Sequence, residues 1–198
     1  MSLAGVRRLA VPGELEALLP VGGVQRGSVV TVGGVAGSGA TTAALSLAAA
    51  ATAAGEWAAF VDPGSLGGLA AVEAGVDLER CAIVRAVPEQ RWALVVGALL
   101  DGITMVVAAA PAHLALGDAR RLMARARERQ AVLVVLESVP GVRTGAWPAE
   151  AALRIHVDGA HWDGLAAGSG RLECRALAVR VEGKGVPHAA RLTLARAG

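Results

Sequence analysis

The chain has 198 residues, 54% of them apolar, with 26 glycines and a net charge of +2 at pH 7. That length suits one domain with a substantial core, and the composition excludes a disordered or collagen-like chain. So small a charge does not demand a nucleic-acid partner. Two cysteines, Cys81 and Cys174, are too few for a disulfide or metal framework and read as buried thiols of a reducing, cytoplasmic protein.

Residues 1–26 form a lead segment without the charged start, apolar core and cleavage site of a secretory signal. Within it Glu14 to Leu19 predicts a short helical turn, closed by Pro20 and the Gly22-Gly23 pair. No charge lies between Arg26 and Glu56, which superficially suggests a membrane span. Six glycines from Gly27 to Gly55, with many Ser and Thr, argue against one.

Residues 27–42 are the organising stretch. A β-branched run over 28–33 predicts a strand, a glycine turn follows, and an alanine-rich helix is predicted from about 41 to 54, ended by Gly55. This is the grammar of a phosphate-binding loop, G-x-x-x-x-G-K-[ST], matched by Gly34, Gly39 and Thr41 with Gly37, Ser38 and Thr42 alongside. The lysine position is Ala40. Glycines let backbone N–H groups converge on an anion, lysine reaches the outer phosphates, and the hydroxyl holds Mg²⁺. The cation is missing here. The only lysine in the chain is Lys184, and no arginine lies between Arg26 and Arg80. A tight strand-to-helix turn is the favoured reading, with weak ATP and Mg²⁺ binding as the alternative.

Ala58 to Val61 predicts a short buried strand ending in the Asp62-Pro63-Gly64 turn, then a helix from Leu66 to Ala74 stopped by Gly75. Cys81 to Val84 predicts a third strand, and Pro88 to Leu100 a helix started by its proline. Asp101-Gly102 turns into a strand from Ile103 to Ala109. Asp118 is expected to cap a helix to Gln130, followed by a strand from Val132 to Leu136. Alternation of apolar strands and helices over 27–137 implies a parallel sheet covered on both faces. Over 147–198 the rhythm changes to strand alternation at Leu153 to Val157, Leu177 to Val181 and Arg191 to Ala195, expected as antiparallel strands on one sheet edge.

Residues 22–34, Phe60-Val-Asp-Pro63, Glu73-Ala-Gly-Val-Asp77 and 177–194 resemble the corresponding segments of RecA recombinases, over about residues 20–195 at low identity. The chain resembles more closely the short RecA-like, ImuA-type accessory factors of inducible mutagenesis. Ala54-Gly-Glu-Trp57, Ala98-Leu-Leu-Asp-Gly102 and residues 118–129 carry that likeness. The resemblance implies a single RecA-like α/β domain over 1–198, with three layers and antiparallel C-terminal strands. It implies a non-catalytic adaptor of error-prone translesion synthesis without a cofactor. Its partners would be a catalytically inert Y-family polymerase homologue (ImuB-type), a mutagenic C-family polymerase and RecA.

Carried over one position at a time, the catalytic parts of RecA are absent. The Walker A lysine falls on Ala40, the water-activating carboxylate falls at or beside Gly64, and the Walker B strand ends in alanine. The two DNA-binding loops reduce to Pro111–Gly117 and Glu137–Gly145, holding one arginine, Arg143. Lys184 matches a basic residue that RecA places across its subunit interface.

Arg120, Arg121, Arg125, Arg127 and Arg129 crowd the helix after Asp118, and Arg121, Arg125 and Arg129 share one face. That stripe reads either as a solvated helix face or as a surface for DNA or an acidic partner. Trp147 and Trp162 sit among turn residues and read as interface anchors or as a packed lid. His156 and His161 lack a metal-ligand pattern.

Overall fold

The computed structural model describes residues 8–11, 14–35, 37–166, 169–183, 185–186 and 192–197. The lead segment forms β1 (Arg8–Ala10), two 3-10 turns (Glu14–Leu18 and Pro20–Gly22) and β2 (Gly23–Gln25). β1 and β2 pair antiparallel as a small separate ladder, and Leu9, Val11, Leu15, Leu18 and Val24 are buried beneath it. Its apolar side chains explain the ladder; the turn was legible in them and the pairing was not.

The core then runs in order through β3 (Val29–Gly34), α1 (Ala40–Ala53), β4 (Ala58–Val61) and α2 (Gly68–Glu73). Next come β5 (Cys81–Val84), α3 (Glu89–Leu100), β6 (Met105–Ala109), α4 (Leu116–Arg129) and β7 (Val132–Leu136). Three strands close the sheet: β8 (Leu153–Ala166), β9 (Ser169–Gly183) and β10 (Leu192–Ala197). The eight-stranded order is β10-β9-β8-β3-β7-β6-β4-β5. β3 therefore lies inside the sheet, between β7 and β8, and β5 is an outer edge.

Alternation within each buried strand divides the core into two apolar layers. Val30, Val32, Phe60, Met105, Val107, Val132 and Val134 face the side covered by α1, α2 and the lead segment. Val29, Val61, Val106, Ala108, Leu133 and Val135 face α3 and α4, where Trp92, Val96, Leu100 and Leu122 are buried. This is the three-layer, mainly parallel α/β architecture that continuous apolar strands demand, since both faces of each strand need a cover.

The C-terminal strands extend one edge of the sheet and pair antiparallel with one another, β8 with β9 and β9 with β10, as expected. Three details need correction. First, β8 joins the core parallel to β3, pairing Val30 with Leu153 through Gly34 with Val157. The connection from β7 crosses the end of β3 and lays β8 beside it in the same direction, and only β9 runs against the rest. Both strands also far outrun their predicted five residues, because register shifts at Val157/Gly159 and Asp163/Leu165 carry the ladder through glycine-containing segments. Second, Asp118 does not cap α4. The helix starts at Leu116 behind Ala115, and Asp118 sits in its first turn, where its charge favours the helix N-terminus. Third, Cys81 is half-buried on the edge strand rather than fully enclosed, and its partial burial raises the thiol pKa. The Cys174 side chain lies outside the described residues. No helix among them is long and apolar enough to cross a membrane.

Candidate functional site

The strand-to-helix turn is built as its glycines require. Gly37 has φ +80°, and Gly39, the residue before α1, has φ +106°, a conformation that L side chains resist. The turn folds inward on itself. The Ser38 N–H donates to the Val35 carbonyl at 3.0 Å. Ser38 is 3% exposed, and its Oγ has no hydrogen-bond partner among the described residues. A Cβ on Gly34 would stand 2.4 Å from that Oγ and 2.4 Å from the Val157 carbonyl oxygen. Gly34 thus permits close packing of the turn against β8.

Ala40, at the lysine position, is 5% exposed and belongs to the apolar layer beneath α1. Thr41 and Thr42 are half-buried in the first turn of α1. Glu137 follows β7 next to β3, and one of its carboxylate oxygens would lie 3.3 Å from a Cβ on Gly33. Its other oxygen accepts the Trp147 N–H at 2.8 Å. Glu137 thus places a carboxylate beside the end of β3, and no basic side chain stands in the first turn of α1. Ala40 and Ser38 bring no basic side chain to the turn, so the residues present do not supply the cation that a triphosphate needs.

The arginine helix is largely neutralised. Arg125 and Arg129 both bond Asp101 at the end of α3, and Arg121 bonds Asp118 at 2.9 Å. These are the three arginines of the shared face. Hydrogen bonding to Arg125 holds the Asp101 carboxyl below its usual range, and the same bond raises the Arg125 pKa. Arg120 and Arg127 remain exposed. The stripe reads as the solvated outer face of α4, with Ala119, Leu122 and Ala126 turned inward.

Trp147 is no rim anchor. It is 4% exposed and packs in the layer under α3 and α4, its Nε1 without a hydrogen-bond partner among the described residues. Trp162 lies within β8, opposite Arg175, rather than in a turn. Its side chain and the whole of Lys184 lie outside the described residues. His156 stands 3.5 Å from Asp158, which Arg180 also binds. No group of three or more potential metal ligands occurs among the described residues.

Two features carry no sequence motif. One is an apolar patch at the β5 end of the sheet, where Leu69 and Val72 of α2, Leu78 of the following turn and Ile83 of β5 are exposed. The other is a cleft of about 370 Å³ at the carboxyl ends of β4, β5 and β6. From β4 the chain leads outward through α2 to β5, and from β6 it leads the other way through α4 to β7. The two connections part there and leave a crevice, the place where open α/β sheets bind ligands. Residues from four separate segments line it, so no local spacing could have announced it.

Fold and site together define a three-layer α/β protein whose phosphate-loop-shaped turn is packed as structure. Residues 17–141 match the family described as MT3502 N-terminal domain. The chain belongs to that family, and the matched stretch ends before β8. It is also similar to the uncharacterized protein Rv3395c of Mycobacterium tuberculosis (strain ATCC 25618 / H37Rv). The two are 39% identical over 107 residues, which is 50% of this chain and 49% of that protein. The match thus spans about half the length of the relative.

Proposed function

We propose that this chain is a non-catalytic, RecA-like adaptor of SOS-induced error-prone translesion synthesis, working in the cytoplasm and at the nucleoid. Its partner would be an inert Y-family polymerase homologue of the ImuB type, with a mutagenic C-family polymerase and RecA as further contacts. The observation that supports this reading best is the turn at 34–42. Its lysine position is filled by a buried alanine, and Glu137 stands beside the end of β3. Phosphate handling at such a turn would need a cation, which the first turn of α1 does not carry.

A scaffold needs a surface, and the exposed side chains of Leu69, Val72, Leu78 and Ile83 beside an unpaired strand edge supply one. Contiguous exposed apolar groups of this kind mark protein contacts. The neutralised arginine stripe is the weaker candidate. Co-purification with the polymerase homologue tests the reading, using Leu69→Glu and Ile83→Glu. Capture by the unsubstituted chain and its loss in both variants is expected. No capture of that homologue would refute the adaptor role.

The second reading is a deviant-loop ATPase acting on DNA, favoured by the left-handed glycines that a phosphate cradle also uses. Titration with labelled ATP and Mg²⁺ separates the two, since micromolar affinity with turnover would displace the adaptor reading.

A further inference from the structure

We propose that the cleft at the carboxyl ends of β4 and β6 binds a small zwitterion, an amino acid or a short peptide with free amino and carboxyl ends. The inference does not depend on the adaptor role. One wall consists of Asp62 and the connection from Arg85 to Glu89; the other consists of Pro111 and Ala112 with Val142 and Arg143. Ala109 and Ala110 form an apolar floor of small side chains, with Trp92 beside them.

The walls are tied to each other. Glu89 Oε1 accepts the His113 N–H at 2.7 Å, joining the start of α3 to the segment after β6. Gly64 (φ +65°) lies so close to the loop after β7 that a Cβ there would stand 2.8 Å from Val139 Cγ1 and 3.3 Å from Val142 Cγ2. Pro111 bridges Thr144, joining the two stretches of the second wall. The cleft is therefore preformed, as ligand sites generally are.

Its backbone is also held in unusual conformations. Three non-glycine residues among those described have positive φ, and two of them, Asp62 at +46° and Ala86 at +57°, line this cleft. Such conformations persist only where surrounding structure imposes them, and they gather at ligand clamps. At Asp62 the outcome is a carboxylate turned to accept the Val87 N–H at 3.2 Å.

The charges select the ligand. Arg85 is committed to the fold, donating to the Gly64 carbonyl at 2.6 Å and the Leu66 carbonyl at 3.3 Å. Asp62 forms no ion pair among the described residues, and exposed Arg143 has no partner among them. Unlike charges, neither with an ion-pair partner among the described residues, thus line the same cleft with Ala109 and Ala110. Asp62 suits an ammonium group, and the planar Arg143 guanidinium suits a carboxylate. A ligand with an anionic group alone would leave Asp62 unpaired, and a simple cation would leave Arg143 unpaired.

Calorimetric titration of the full chain tests this with leucine, alanyl-leucine, N-acetyl-alanyl-leucine, alanyl-leucinamide and AMP as probes. Leucine or alanyl-leucine is expected to bind, the stronger of the two telling a free amino acid from a chain. Capping either end of alanyl-leucine should weaken binding at least about tenfold, the loss of one charge-assisted hydrogen bond. Arg143→Ala, at an exposed position, should abolish the penalty for amidation and leave that for acetylation. Asp62→Asn should do the reverse. Should Asp62→Asn fail to fold, the capped probes and Arg143→Ala decide alone. No binding by either zwitterion, binding indifferent to capping, or binding of AMP alone would each overturn the proposal.

Discussion

Replacing Gly34 and Gly37 separately by alanine tests whether the turn after β3 is a packed element or an open cradle. At Gly34 the new Cβ would lie 2.4 Å from both the Val157 carbonyl oxygen and Ser38 Oγ. Ser38 can turn aside, but Val157 is held in the β3–β8 ladder, so the strands must shift. Overpacking of this kind costs about 3 kcal/mol, which lowers the melting temperature by roughly 6–12 °C in a domain of this size. At Gly37 a Cβ meets nothing within 4 Å, and only the left-handed backbone at φ +80° opposes it. That penalty is about 1 kcal/mol, or roughly 2–4 °C. Urea titrations of both variants give the two values directly. Ser38→Ala in the Gly34→Ala background should recover part of the loss, since one of the two clashes disappears with an Oγ that has no partner among the described residues. Equal costs at the two positions, or a silent Gly34→Ala, would refute the packed-turn description.

Ala40→Lys is expected to leave ATP turnover undetectable in a phosphate-release assay, because β6 still ends in Ala109 and a lysine alone supplies no carboxylate there to hold a metal. Asp101→Asn should free Arg125 and Arg129 and delay elution from heparin as salt is raised. Glu56 receives a hydrogen bond from Thr104 and another from Arg26, which lower its pKa from 4.5. A lowered folded-state pKa gives stability that is present above 4.5 and lost as pH falls through the depressed value. Glu56→Gln should therefore flatten the acid limb of urea midpoint against pH below 4.5, by about 0.5 kcal/mol for so exposed a pair. Trp147→Ala should cost about 4 kcal/mol by equilibrium unfolding, while Trp147→Phe, which removes a buried N–H without a described partner, should cost far less.

The parallel core was legible because its strands are continuous apolar runs that stop at charged or turn residues such as Asp62, Arg80, Arg85 and Glu137. β4, β5 and β7 begin and end where the residues place them. β8 was only half legible: Asp158, Gly159, Asp163 and Gly164 read as turn chemistry, and the pairing that carries the strand past them is long-range. For Trp147 two readings stood open, anchor or packed lid, and the packed one holds: its proline and glycine neighbours suggest a surface, while the layer under α3 and α4 encloses the ring. The arginine stripe was visible, but Asp101, which pairs with two of its members, lies at the end of another helix. The cleft was invisible because four segments meet only after the sheet has formed.

The position of β3 has a consequence for biosynthesis. It emerges early from the ribosome, yet both neighbours that saturate its backbone, β7 and β8, are translated much later. Until they arrive, a valine-rich strand with two open edges has no permanent partner, the condition under which nascent chains adhere to one another. A stalled or truncated chain ending before Leu153 would leave one of those edges bare in every copy, so quality-control chaperones should discriminate most sharply between products ending on either side of β8.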